Sequence, residues 1–114
     1  MKELKEWEKL PDDHNFLSKV QQKIHEIDKS ADIILYGSRT REETDQDSDW
    51  DFLVLVDGNV DQELTAKIRD SLYEIELQTD QIISCIVRSK KEWYSPRYSV
   101  IPFKRNVEKE GVLL

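Results

Sequence analysis

The sequence predicts an α/β (α+β) domain built on a small sheet, on three observations. ADIILYG, DWDFLVLVDG and QIISCIVRS are short apolar runs bounded by turn residues or charges, as buried strands are. Segments with apolar residues at helical spacing lie before, between and after them. At 114 residues, with 38% hydrophobic and 36% charged residues, the chain suffices for one core and no second lobe.

In order, Phe16, Leu17, Val20, Ile24 and Ile27 mark an amphipathic helix over about 12–30. ADIILYG is the first strand, closed by glycine, and Ser38 is placed to cap a short helix through Arg39 to Glu43. TDQDS reads as a loop. In the second strand Asp49, Asp51, Leu53 and Leu55 share one face and Trp50, Phe52, Val54 and Val56 the other, so a central strand covered on both sides carries its acids only at its start. Leu64, Ile68, Leu72 and Ile75 predict a second helix, capped by Asp61, before the strand QIISCIVRS. Ser89 with Glu92 forms a capping-box signature for a short helix, and FKRNVEKEG predicts a last one ended by Gly111. The predicted order is α-β-α-β-α-β-α in a single domain over 1–114: an N-terminal helix about 12–30, a core about 31–95 and a C-terminal helical tail about 96–114.

The net charge of −7 argues against a surface that grips nucleic acid directly, because phosphate binding needs clustered Lys and Arg. An acidic chain that handles phosphate compounds is expected to recruit a cation. Cys85 is the single cysteine and reads as a buried strand thiol. MKELKEWEKL lacks the apolar core of a signal peptide and no run approaches membrane-spanning length, so the expected location is the cytoplasm, with no membrane contact. Trp50 and Trp93 are expected in the core, and His14 and His25, without zinc-site spacing, at the surface.

The acidic cluster admits three readings. A calcium loop would need glycine at its sixth place and glutamate at its twelfth, where this chain has Trp50 and Val56. A solvated loop suits Asp45 and Asp47. It suits Asp49 and Asp51 less well, since successive same-face carboxylates lie roughly 6–7 Å apart and repel unless a cation such as Mg²⁺ joins them. The third reading couples them to Gly37 and Ser38: a Gly-Ser turn after a strand offers backbone N–H groups and a hydroxyl to phosphate oxygens, and the carboxylates hold metal ions that bridge those phosphates.

GSRTREETDQDSDWDFLVLVD, about a fifth of the chain, resembles the signature of the nucleotidyltransferase superfamily related to DNA polymerase beta, and more narrowly the minimal nucleotidyltransferases. The resemblance implies the nucleotidyltransferase fold, a small mixed sheet flanked by helices, and Mg²⁺-dependent transfer of a nucleoside monophosphate from an NTP, ATP first among them, to an acceptor. By position, Gly37 and Ser38 would contact the β and γ phosphates, and Asp49 and Asp51 would ligate the metal. Arg39 and Arg41 stand where relatives carry basic residues, and read either as phosphate neutralisers or as exposed helix residues. Glu42 stands where relatives commonly have glycine. A third carboxylate on the neighbouring strand is part of the superfamily pattern; QIISCIV holds none, Ser84 lies near its place, and Asp80, with Ser84's parity, is the candidate, read equally as a helix-to-strand turn acid. The resemblance also implies an alternative, an antitoxin-type protein that binds or nucleotidylates a small helical partner, and the small size of the chain makes such a partner or self-association attractive; Glu42 and the missing mid-strand carboxylate motivate a third, a homologue that keeps the fold without turnover.

Overall fold

A computed structural model describes residues 1–7, 11–41 and 48–114. Among these residues four α-helices flank a five-stranded mixed sheet: α1 (Pro11–Ile27), α2 (Gln62–Thr79), α3 (Lys90–Trp93) and α4 (Pro102–Glu110), with β1 (Lys2–Glu3), β2 (Asp32–Tyr36), β3 (Trp50–Val56), β4 (Ile83–Ser89) and β5 (Val112–Leu113) in the order β1-β5-β2-β3-β4. The three predicted strands form its centre and one edge. β2 runs antiparallel to β3, and β3 parallel to β4 with α2 as the crossover.

Strand parity divides the interior into two cores. Ile33, Leu35, Trp50, Phe52, Val54 and Val87 face α1 and α2, packing against Leu17, Val20, Ile24, Ile68, Leu72 and Ile75. Ile34, Leu53 and Leu55 face the other way, against Trp93 of α3 and Val107 of α4. All residues of β3 from Phe52 to Val56 are fully buried, as a two-faced apolar strand requires. Trp50 and Trp93 are both core residues.

Two predicted caps form. The Asp61 side chain accepts the Leu64 N–H at 2.8 Å and Ser89 Oγ accepts the Glu92 N–H at 3.1 Å. Glu92 does not close the box; its carboxylate accepts the Tyr98 hydroxyl instead. Two local expectations are corrected. Ser38 is not a cap, because Gly37 holds that position and the turn that follows is a 3-10 turn, Ser38–Thr40; Glu42 and Glu43 lie outside the described residues, as do Asp45 and Asp47. Gly111 ends α4, as expected, with extended backbone, φ −65° and ψ 152°, which feeds directly into β5. His25 is half-buried, its Nε2 within 2.9 Å of the Ala31 carbonyl. The Cys85 thiol is pushed up to about 12 by burial, which makes it an inert strand residue.

Candidate active site

Antiparallel pairing of β2 with β3 brings the two halves of the Gly-Ser and Asp-x-Asp stretch together. Tyr36 is the register partner of Asp51 on one side, and Ser84 is its partner on the other. Residues in register point to one face, so Tyr36, Asp51 and Ser84 form a row across three strands, on the face that carries the α3/α4 core. Asp49 lies just before β3, exposed, while Asp51 is half-buried.

Gly37 follows Tyr36 with φ 81° and ψ −159°, backbone that only glycine adopts readily. A Cβ there would overlap Asp51 Oδ2 and lie 3.3 Å from Asp51 Cγ. The carboxylate therefore rests on the glycine Cα, and glycine is required twice over, by conformation and by space. Thr40 fastens the turn, its N–H at 3.1 Å and its hydroxyl at 2.6 Å both donating to the Gly37 carbonyl. The Gly37 N–H of the same turn meets a carboxylate oxygen, Glu110 Oε1 at 3.3 Å, and Ser38 beside it is half-buried; backbone N–H groups of such a turn are donors suited to anionic oxygens.

The Asp51 carboxyl is raised above the ordinary range, first by burial and then by the Asp49 charge. Tyr36 beside it is pushed up to about 12 by burial and by Asp51. A cation between the carboxylates would relieve both effects, so the donor set fits one divalent ion held by Asp49 and Asp51, with positions left for water and phosphate oxygens. Among the described residues no group of three or more His, Cys, Asp and Glu side chains converges to hold a metal; the site has the carboxylates of Asp49 and Asp51, with the Ser84 hydroxyl as the partner of Asp51 on β4.

The two arginines separate. Arg39 is buried, its guanidinium 4.4 Å above the Trp50 ring, Nε donating to the Ser48 carbonyl at 2.9 Å and Nη2 to Gln81 Oε1 at 3.4 Å, while Gln81 also accepts from Trp50 Nε1 at 3.0 Å. Trp50 points away from Asp51, so Arg39 belongs to the opposite face and ties the turn to the start of β3. Arg41 is exposed and pairs with Glu110 at 3.2 Å. Asp80, taken from parity as a strand residue, is the exposed C-cap of α2 in the left-handed conformation, φ 59°, and β4 begins three residues later at Ile83. Its strand parity does not apply, and it is not in the row. Glu110, which no local pattern marked, accepts the Gly37 N–H at 3.3 Å.

A search of curated proteins finds no match for this chain. The profile of the nucleotidyltransferase domain family matches residues 17–114, which takes in α1 from Leu17 onward, the Gly-Ser turn, the Asp-x-Asp strand and everything after them, and the chain belongs to that family.

Proposed function

We propose that this chain is a nucleotidyltransferase that moves a nucleoside monophosphate from an NTP, ATP first among candidates, to an acceptor with release of pyrophosphate, dependent on Mg²⁺. The observation that carries the reading is the seating of the Asp51 carboxylate against Gly37, which supports joining a turn that would bind phosphate and a carboxylate that would bind a cation in one site. Gly37 and Ser38 would hold the β and γ phosphates through the turn N–H groups and the hydroxyl. Asp49 and Asp51 would hold the ion, whose chemistry is neutralisation of charge on the phosphoryl oxygens and the departing pyrophosphate. The acceptor's nucleophile attacks the α-phosphorus, the bond from that phosphorus to the bridging oxygen breaks, and the electron pair leaves with pyrophosphate. Ser84 cannot serve as a carboxylate base, so proton removal from the acceptor falls to Asp51, to the acceptor's own acidity, or to Asp80 if the acceptor reaches across to it.

Titration calorimetry with ATP, GTP, CTP and UTP, with and without Mg²⁺, tests this. Wild type is expected to bind at least one Mg²⁺–NTP complex, and the Asp49→Asn, Asp51→Asn double variant to lose most of that affinity. No binding by wild type, or undiminished binding by the variant, defeats the assignment. Labelled NTP incubated with lysate then separates turnover from a homologue that only binds.

A second reading rests on a different observation. Tyr73 and Leu77, one turn apart on α2, and Ile82 in the connection to β4 are 58%, 69% and 60% exposed beside the sheet's open β4 edge. Exposed apolar groups at an unpaired edge are features of protein interfaces. They support a role in binding a small helical partner, as in an antitoxin, or a second copy of this chain. Sedimentation of the purified protein distinguishes self-association from a monomer.

A further inference from the structure

Glu110 is the last residue of α4, 73 positions from the residue it reaches. Its Oε1 accepts the Gly37 N–H at 3.3 Å and its Oε2 accepts Arg41 Nη2 at 3.2 Å. One anion thereby spans a backbone donor and a guanidinium with its two oxygens, which is the way such donors hold a phosphate group. On the nucleotidyl-transfer reading, on which this inference rests, these are donors that meet the triphosphate.

We propose that Glu110 is an internal anion that occupies the phosphate donors of the Gly37 turn and must swing away before a nucleotide can bind: an autoinhibitory side chain acting on the site. A triphosphate and Glu110 cannot share the turn, because both are anions and both need the same N–H and guanidinium. The helix is docked by contacts of its own, separate from Glu110. Val107 is fully buried, Phe103 meets Tyr36 edge-on at 5.3 Å, and the Gly111 N–H donates to the Val107 carbonyl at 2.7 Å. A Cβ on Gly111 would stand 2.9 Å from Ile34 Cγ2, so β2 and the end of α4 are in close contact. The Glu110 side chain, in contrast, is 25% exposed and Arg41 66% exposed. Their pair can open by side-chain rotation into water while α4 stays docked, and exposed pairs of this kind are weak enough to be exchanged.

The test uses the full chain and two probes, Mg²⁺–ATP and Mg²⁺–tripolyphosphate, the second carrying the phosphate contacts without base or ribose. Glu110→Gln and Glu110→Ala are expected to bind both probes about three- to tenfold more tightly than wild type, the factor by which a competitor that is seated most of the time lowers apparent affinity. Glu108→Gln removes the same charge from the same helix, at a side chain 53% exposed and paired with Lys104, and is expected to leave affinity within twofold of wild type. Arg41→Ala placed on Glu110→Ala should reverse the gain. Binding by the Glu110 variants where wild type shows none also supports the proposal, as a gate that wild type keeps shut. If wild type binds and the folded Glu110 variants bind equally or more weakly, the gate is wrong and the nucleotide reading stands. If the Glu108→Gln gain equals the Glu110→Gln gain, the effect is net charge and the gate is again wrong. If neither probe binds any of the proteins, the nucleotide reading falls and the gate with it.

Discussion

Gly37→Ala tests the contact on which the site is built. Two costs combine. An L-residue at φ 81° and ψ −159° sits in a region held almost only by glycine, which costs on the order of 1–3 kcal/mol. The added methyl also overlaps Asp51 Oδ2 and crowds Asp51 Cγ at 3.3 Å, and overpacking of this kind costs about 1–3 kcal/mol. The expected destabilisation is therefore about 2–6 kcal/mol, against a total near 5–15 kcal/mol for a domain of this size. Urea unfolding of Gly37→Ala, Asp51→Ala and the double variant separates the costs. Removing the carboxylate relieves the overlap and leaves the backbone cost, so the two substitutions should couple by about 1 kcal/mol or more. Gly58→Ala is the control: nothing lies within 4 Å of its added Cβ, and the change should stay within about 0.5 kcal/mol of neutral or stabilise slightly. A Gly37→Ala protein as stable as Gly58→Ala, or strict additivity with Asp51→Ala, would refute the seating of the carboxylate on the glycine.

Asp51→Asn in EDTA is expected to be neutral or stabilising by up to about 1 kcal/mol at pH 7, the half-exposed carboxylate limiting the gain. Its folded carboxyl is raised above the ordinary 3.8, so wild-type stability falls as pH rises from that value through the folded one, and thermal melts should show the variant's advantage vanish below about pH 4; a clearly destabilised variant at pH 7 would sink this. Tyr36, pushed up to about 12, makes the folded state lose stability as pH rises from about 10 to that value; Tyr36→Phe should lack this alkaline loss in melts run at pH 9 and 11. Arg39→Lys keeps the charge but loses the flat guanidinium over Trp50 and its forked bonds, so it should cost about 1–2 kcal/mol in urea while nucleotide affinity holds within about threefold; a selective loss of affinity would return Arg39 to the phosphate side.

The central elements were legible because each obeys a local rule. Alternation in WDFLVLV placed β3 and named both of its faces, and Asp61 and Ser89 cap the helices whose starts they mark. What escaped depends on partners far along the chain. β1 and β5 are two residues each and have no period to read; they become strands by pairing with one another and, for β5, with β2. Of the two readings of Asp80 the structure shows the helix-to-strand turn acid, because parity holds only within a strand and the left-handed turn at the end of α2 resets it. Arg39 and Arg41 are two residues apart in one basic run, yet one is buried over Trp50 and the other reaches Glu110. Ser84 was legible as a neighbour of the site by counting from the turn, and its register with Asp51 follows from the parallel pairing.

The division of the interior into two unequal cores bears on which parts of the molecule open first. Among the described residues the core on the α1/α2 side has seventeen buried hydrophobic residues and that on the α3/α4 side five, so separating α4 from the sheet exposes far less apolar surface than separating α1 or α2. Excursions that lift the α3/α4 layer then have a free energy well below that of global unfolding. Amide exchange in α4 should be governed by that layer alone, while β3 and α2 exchange only with the whole domain. Tyr36, Asp51 and the turn at Gly37 lie under the layer of lower cohesion, and the site is thus located where the fold is most readily remodelled by whatever binds there.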